Sequence, residues 1–264
     1  MQNRTISIIG CGNIGQSIIK GLLLNGIEPN SIIATKRNLL PIKSFGDIGI
    51  KLTSNNIEAV ENSDIVIIAV KPLDVKNVLQ EIKSTLNSEK QILVSIATGV
   101  TTSEIYNNLN LNIPIFRAIP NTAAEIAESV TCLCYKNADK NNIEVVQNLF
   151  DKVGTSLFIN EELMESGTII GACGIAFVLR YIRAMIQGGI QIGFDADIAK
   201  AIVTQTVKGA AELLLKKGVH PEQEIDKVTT PKGCTIVGLN EMEHRGFSSA
   251  LIKGILASYE KIEK

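Results

Sequence analysis

The sequence predicts an α/β protein in two parts: a doubly wound parallel sheet over residues 1–158 and an all-helical domain over residues 159–264. Three observations carry this. Short β-branched runs alternate with helix-length segments through the first part, and a glycine-rich turn joins the first run to the first helix. Beyond Phe158 the strand signals cease, while apolar residues recur at helical spacing almost to the end.

Strands are expected in order at Ile6–Ile9, Ile32–Ala34, Ile65–Val70, Ile92–Ile96, Ile113–Ala118 and Val130–Tyr135. Runs that are mostly apolar, without polar alternation, and separated by helices indicate parallel strands covered on both faces. In the second part, Glu162–Gly193 reads as one long helix or a broken pair, Asp197–Lys217 as another, and Ile236–His244 and Phe247–Glu263 as two more. The longest apolar stretch, Gly167–Leu179, is too short to span a bilayer and is followed by Arg180 and Arg183, so a buried helix is expected there. Its small residues Gly167, Gly171, Ala172, Gly174 and Ala176 lower helix propensity, by about 1 kcal/mol for each glycine relative to alanine. Close packing against another subunit is expected to offset that cost.

Composition narrows the function. At 45% hydrophobic in 264 residues, the chain has the material for a sizeable core. A formal net charge of -1, with no Lys/Arg block and no tryptophan, argues against nucleic acid or an anionic membrane as partner and for a small molecule. The N-terminal MQNRTISIIG has neither a charged leader nor a cleavage site, which reads as cytoplasmic. Cys11, Cys132, Cys134, Cys173 and Cys234 form no CxxC pair and have only His220 and His244 to help them; reduced, mostly packed thiols are expected, and no metal site.

Within IIGCGNIGQSII, Gly10-x-Gly12-x-x-Gly15 follows a strand and opens a helix. The first glycine permits a tight turn, the second lets the backbone approach a pyrophosphate, and the third brings helix against strand, which is the Rossmann-type dinucleotide arrangement. The end of the second strand reads Ala34-Thr35-Lys36-Arg37-Asn38. An acid there would bond a ribose 2'-hydroxyl; a hydroxyl and two cations instead favour NADP(H) while leaving NAD(H) usable, unless the Lys-Arg pair is simply a solvated strand end. Loops after later strands should line the same crevice: Ala69-Val70-Lys71-Pro72, Ala97-Thr98-Gly99-Val100 and Ile119-Pro120-Asn121-Thr122, the last offering an amide and a hydroxyl to a nicotinamide. The candidate cofactor residues are Gly10, Cys11, Gly12, Asn13, Ile14 and Gly15 in the turn, Thr35, Lys36 and Arg37 at the second strand, and Asn56. Ala69, Val70, Lys71, Pro72, Ala97, Thr98 and Asn121 complete them.

These residues, with AVKPLDV, SIATGVT, RAIPNTAAEIAESV, QGGIQIGF and above all DKVTTPKGCTIVGLNEME, resemble the pyrroline-5-carboxylate reductase family over essentially the whole chain. The resemblance implies an N-terminal Rossmann domain, a C-terminal helical dimerisation domain with active sites where helices of two subunits meet, and reduction of 1-pyrroline-5-carboxylate to L-proline. It also implies a substrate loop at Thr230, Lys232, Gly233, Cys234 and Thr235, in which helix N-terminal N–H groups receive a carboxylate and the Thr235 hydroxyl orients the imine nitrogen as the candidate catalytic group. A helix start supplies unpaired donors and about half a positive charge, although Thr230 and Thr235 could instead merely cap the helix. Two departures stand out. Lys232 and Cys234 replace a glycine and a hydroxyl or small residue of the family loop, and Gly171–Phe177 lacks a proline and two hydroxyls, so that a helix kink is expected to be missing.

A protonated imine is already electrophilic, so near-attack positioning and carboxylate anchoring would carry such a reaction without a nucleophile or metal. Neither histidine has a catalytic partner in sequence. Two other readings stay open: a related reductase of cyclic imines or β-hydroxy acids, and a non-catalytic NADPH-binding oligomeric protein.

Overall fold

The structure, a computed structural model, describes residues 4–262. The chain forms two compact units, one ending at Cys173 and one beginning at Gly174. The sequence division at 158/159 falls earlier, because the segment after Phe158 lays Met164 into a small core with Ile119 and Cys134 of the first unit. Glu263, the expected end of the last helix, lies outside the described residues.

In the first unit the strands are β1 (Ile6–Ile9), β2 (Ile32–Thr35), β3 (Lys51–Thr53), β4 (Ile65–Ile68), β5 (Ile92–Ser95), β6 (Ile115–Ile119), β7 (Ser129–Lys136) and β8 (Gly154–Phe158). Between them run α1 (Asn13–Leu24), α2 (Lys43–Asp47), α3 (Asn56–Glu61), α4 (Pro72–Ile82), α5 (Thr102–Leu109) and α6 (Lys140–Phe150), and α7 (Met164–Gly167) follows β8. They form one eight-stranded sheet in the order β3-β2-β1-β4-β5-β6-β7-β8. The order reverses beside β1, so the loops after β1 and β4 diverge and open a crevice at their carboxyl ends.

Alternate residues of each central strand face opposite helix layers. Ile6, Ile8, Ile32, Ile65 and Ile67 pack with Ile18, Leu22 and Phe150 on one side; Ile9, Ile33, Val66 and Ile68 pack with Val75, Leu79 and Ile105 on the other. Each such fully buried aliphatic side chain contributes roughly 1.5–3 kcal/mol. The expected parallel arrangement holds as far as β6, but β7 runs antiparallel to it. Only a single 3₁₀ turn, Thr122–Ile126, joins the two, and a parallel return needs a crossover of a dozen or more residues. The sequence reading also lacked β3, a short and partly exposed edge strand, and β8, whose polar and apolar residues are mixed.

The second unit contains α8 (Gly174–Gln191), α9 (Ala196–Lys217), α10 (Pro221–Lys227), α11 (Cys234–His244) and α12 (Phe247–Ile262). The all-helical expectation holds, with α10 an addition and α11 starting earlier than Ile236. Helices α8 and α9 approach closely where a Cβ on Gly189 would lie 3.1 Å from that of Ala199, and Tyr181 meets Phe247 at 6.1 Å between ring centroids. The missing proline does not make the entry to α8 regular: Thr168–Cys173 is a π-helical turn, in which the Thr168 hydroxyl bonds back to the Met164 carbonyl at 2.9 Å.

The buried helix expected around Gly167–Leu179 holds only at its start, where Thr168 and Ile169 are buried; α8 contains no buried residue in the single chain, and Val178, Leu179 and Ile190 within it and Ile192 just beyond it are exposed. The helix Glu161–Gln191 that contains this stretch has 31 residues, and an 18-residue window within it reaches a mean hydropathy of 1.8, enough by length and composition to cross a membrane. Exposed apolar helices of this kind also serve as subunit interfaces.

Candidate functional site

The crevice is a cleft of about 710 Å³. Its floor is Gly10 and Gly12 after β1 and Ala69, Val70 and Lys71 after β4. Gly10 has φ +82°, and a Cβ there would collide with the Val70 side chain, whereas a Cβ on Gly12 would meet nothing nearer than the Gly10 carbonyl at 3.8 Å. The second glycine therefore leaves open the space that a ligand backbone would enter. Gly15 serves packing: its Cβ position lies 3.2 Å from Ile8. Helix α1 begins at Asn13, Ile14 and Gly15 with no side-chain cap on Gly12, which leaves the first-turn N–H groups without a capping acceptor. These features fit a dinucleotide diphosphate.

Other turn and loop residues are spent on the fold. Cys11 is fully buried, and its N–H donates to the Thr35 carbonyl at 2.7 Å. Burial pushes its thiol up to about 11, against a smaller opposing effect of Lys36. Asn121 was expected to offer its amide to a nicotinamide. Instead its side chain donates to the Gly171 carbonyl at 3.0 Å and accepts from the Ala123 N–H at 2.9 Å. Pro72 starts α4, while Ala97 is buried and Thr98 half-buried after β5; none of these lines the cleft.

At the β2 end, Thr35, Lys36 and Arg37 all line the cleft, with Asn56 beside them. The Thr35 hydroxyl accepts from the Gly10 N–H at 3.1 Å and donates to Asn56 Oδ1 at 2.7 Å. Lys36 Nζ donates to the Cys11 carbonyl at 2.9 Å, and Arg37 remains 96% exposed, with its guanidinium 3.9 Å from Asp74. Sequence reasoning missed the opposite wall: Asp74, Asn77, Val78 and Glu81 of α4. Their i, i+3, i+4, i+7 spacing marks one helix face and was legible.

In the second unit, the Gly233 N–H donates to the Thr230 carbonyl at 2.9 Å, closing a turn with Pro231 and Lys232 at its centre, and Lys232 has φ +60°. Helix α11 then starts at Cys234, with Gly233 as an N-cap that makes no side-chain bond. Neither Thr230 nor Thr235 caps it, so the first-turn amides have no side-chain acceptor, beside an exposed Cys234 and a half-buried Thr235. His220 plays a local role, its Nδ1 accepting from the Glu222 N–H at 3.3 Å.

A buried ion network also escaped the sequence reading. Arg117 on β6 is 1% exposed and pairs with Glu161 at 3.2 Å and Glu165 at 2.7 Å. Glu161 also accepts from the Thr102 N–H at 2.7 Å and hydroxyl at 2.6 Å. Burial pushes the Glu161 carboxyl up, but the Thr102 bonds and Arg117 together outweigh it and hold the group below the usual carboxylate range.

The chain matches two family models: "Pyrroline-5-carboxylate reductase dimerisation" over residues 161–264 and "NADP oxidoreductase coenzyme F420-dependent" over residues 5–99. It is 44% identical to pyrroline-5-carboxylate reductase 1 of Dictyostelium discoideum over 97% of this chain, spanning about half (49%) of that protein. Pyrroline-5-carboxylate reductase 2 of the same organism is 43% identical over 99% of this chain and 93% of its own length. Among solved structures, Plasmodium falciparum pyrroline carboxylate reductase with NADP bound superposes at a TM-score of 0.90 with 26% identity, covering 99% of this chain and 98% of that one.

Proposed function

This chain belongs to the pyrroline-5-carboxylate reductase family, and from that premise we propose that it reduces 1-pyrroline-5-carboxylate to L-proline with NAD(P)H, preferring NADPH. The observation that carries this reading is the uncapped start of α11 behind the Thr230–Gly233 turn, a ready acceptor for the carboxylate of a small substrate. When bound, the reduced nicotinamide supplies hydride to the imine carbon.

The chain's own part is positioning. Gly10 and Gly12 admit the diphosphate to the cleft floor, and the first-turn N–H groups of α1 receive its charge. Arg37, almost fully solvated and held only by a long, exposed pairing with Asp74, is the cation at the β2 end that meets a 2'-phosphate. At the other site, the N–H groups of Cys234 and Thr235 hold the substrate carboxylate, Gly233 lets the turn close against Thr230, and the Thr235 hydroxyl orients the ring nitrogen. Fixing the imine carbon in near-attack geometry is then the main source of rate.

Residues 1–158 serve the cofactor, and the helical part serves substrate binding and self-association. The exposed apolar faces of α8 and α9 pair with another copy, giving at least a dimer with no membrane or nucleic-acid partner. Five free cysteines suit the reducing cytoplasm.

The test follows NADPH absorbance with purified protein and DL-1-pyrroline-5-carboxylate, beside NADH and a Thr235→Ala variant. Oxidation faster with NADPH, with kcat/KM falling roughly 10²-fold in the variant, supports the proposal. NADPH binding without imine-dependent oxidation overturns it.

A further inference from the structure

The end of β2 carries no acid, yet the cleft it borders contains two carboxylates. Asp74 and Glu81 reach the cleft from α4. Each is set against a residue suited to an adenosine substituent: Asp74 Oδ2 lies 3.9 Å from the Arg37 guanidinium, and Glu81 Oε2 accepts from Asn56 Nδ2 at 2.9 Å. Of the β2-end side chains, the Thr35 hydroxyl is committed to Asn56 and Lys36 to the Cys11 carbonyl. Arg37 is thus the one cation of the β2 end without a backbone partner, and a carboxylate from α4 faces it.

We propose that Asp74 and Glu81 determine the cofactor selectivity of this chain. Together they weaken its hold on a 2'-phosphorylated dinucleotide and so keep NADH a usable reductant, although the β2 end favours NADPH. This rests on the reading of the cleft as the NAD(P)H site. A 2'-phosphate brings about 1.5–2 negative charges into a space where two carboxylates already stand, and it competes with Asp74 for Arg37. The Arg37–Asp74 pair is exposed and therefore weak in itself, so the exchange of partners costs little. The like-charge repulsion persists after the exchange. A cofactor lacking the 2'-phosphate meets neither penalty, and its ribose hydroxyls can donate to a carboxylate, the role that an acid at the β2 end plays elsewhere.

The test is isothermal calorimetry with 2',5'-ADP and 5'-ADP on the full chain as wild type, Asp74→Asn, Glu81→Gln and the double variant, at low and physiological salt. Glu89→Gln, an exposed carboxylate outside the cleft, controls for net charge. Each cleft variant is expected to tighten 2',5'-ADP by roughly three- to tenfold at low salt, less at physiological salt. Affinity for 5'-ADP should stay within about twofold or fall, and the control should not move either ligand. Unchanged preference, or equal tightening of both ligands, overturns the inference while leaving the cofactor site intact. Failure of both ligands to bind any of the proteins overturns the site reading and the inference together.

Discussion

Gly233 donates its N–H to the Thr230 carbonyl at 2.9 Å across a turn whose third residue, Lys232, is left-handed at φ +60°. With proline second and positive φ third, the turn asks for glycine where this chain has lysine. A side chain in that conformation costs roughly 1–2 kcal/mol, of which the greater freedom of glycine in the unfolded chain cancels part. Lys232→Gly should therefore stabilise the protein by about 1 kcal/mol or less, read from urea unfolding. Gly233→Ala should act oppositely, since its Cβ would lie 2.6 Å from Thr230 Oγ1 and 3.0 Å from the Thr230 carbonyl oxygen. Opening the turn should raise KM for the imine by about tenfold or more, with cofactor affinity unchanged.

The glycines of the β1–α1 turn separate folding from binding. Gly12→Ala adds a Cβ that no protein atom obstructs, so its melting temperature should match wild type. The same methyl occupies the diphosphate approach, and NADPH affinity, measured by fluorescence titration, should drop about ten- to hundredfold, a loss of roughly 1.4–2.8 kcal/mol. Gly10→Ala meets the Val70 side chain at positive φ and should lose stability as well as affinity. Equal stability losses in both variants would contradict this division of roles.

Thiol reactivity should follow burial. Cys11 and Cys134 are buried, with burial as the leading cause that lifts each thiol to about 11; at pH 8 only roughly one such group in a thousand is ionised. Cys234 is exposed at the first position of α11. Brief iodoacetamide treatment at pH 8 should label Cys234 first by peptide mass spectrometry and abolish imine-dependent turnover by crowding the first-turn amides. Cys234→Ser should retain turnover and resist the reagent.

Much of this was legible because the signals were local. β4 is apolar at every position and β1, β2 and β5 each carry a single small polar residue among buried aliphatic ones, a pattern that fits a doubly covered sheet. The direction of β7 was not legible, since its strand signal is the same either way and only the short connection after Ile119 decides it. On the α4 wall, the spacing of Asp74, Asn77, Val78 and Glu81 was visible, but which face meets the crevice depends on sheet order. Arg117 reads as one polar residue in a strand; its partners lie 44 and 48 positions away, and no local pattern brings them together.

That network gives a pH dependence of definite sign. The Glu161 carboxyl is held below its ordinary 4.5, with burial opposing the Thr102 bonds and Arg117 that lower it. A depressed folded value means that Glu161 contributes stability above pH 4.5, and that this contribution is lost as pH falls from there through the folded value. The stability difference between wild type and Glu161→Gln should accordingly be constant from neutral pH to about pH 5 and shrink below it. Arg117→Met should cost more, about 3–5 kcal/mol, because it strands Glu161 and Glu165 as neighbouring, partly buried carboxylates. Adding Glu165→Gln to Arg117→Met should recover part of that loss, since one of the two stranded charges is gone. Strict additivity of those changes in urea unfolding would mean that the arginine and the two glutamates do not act as one network.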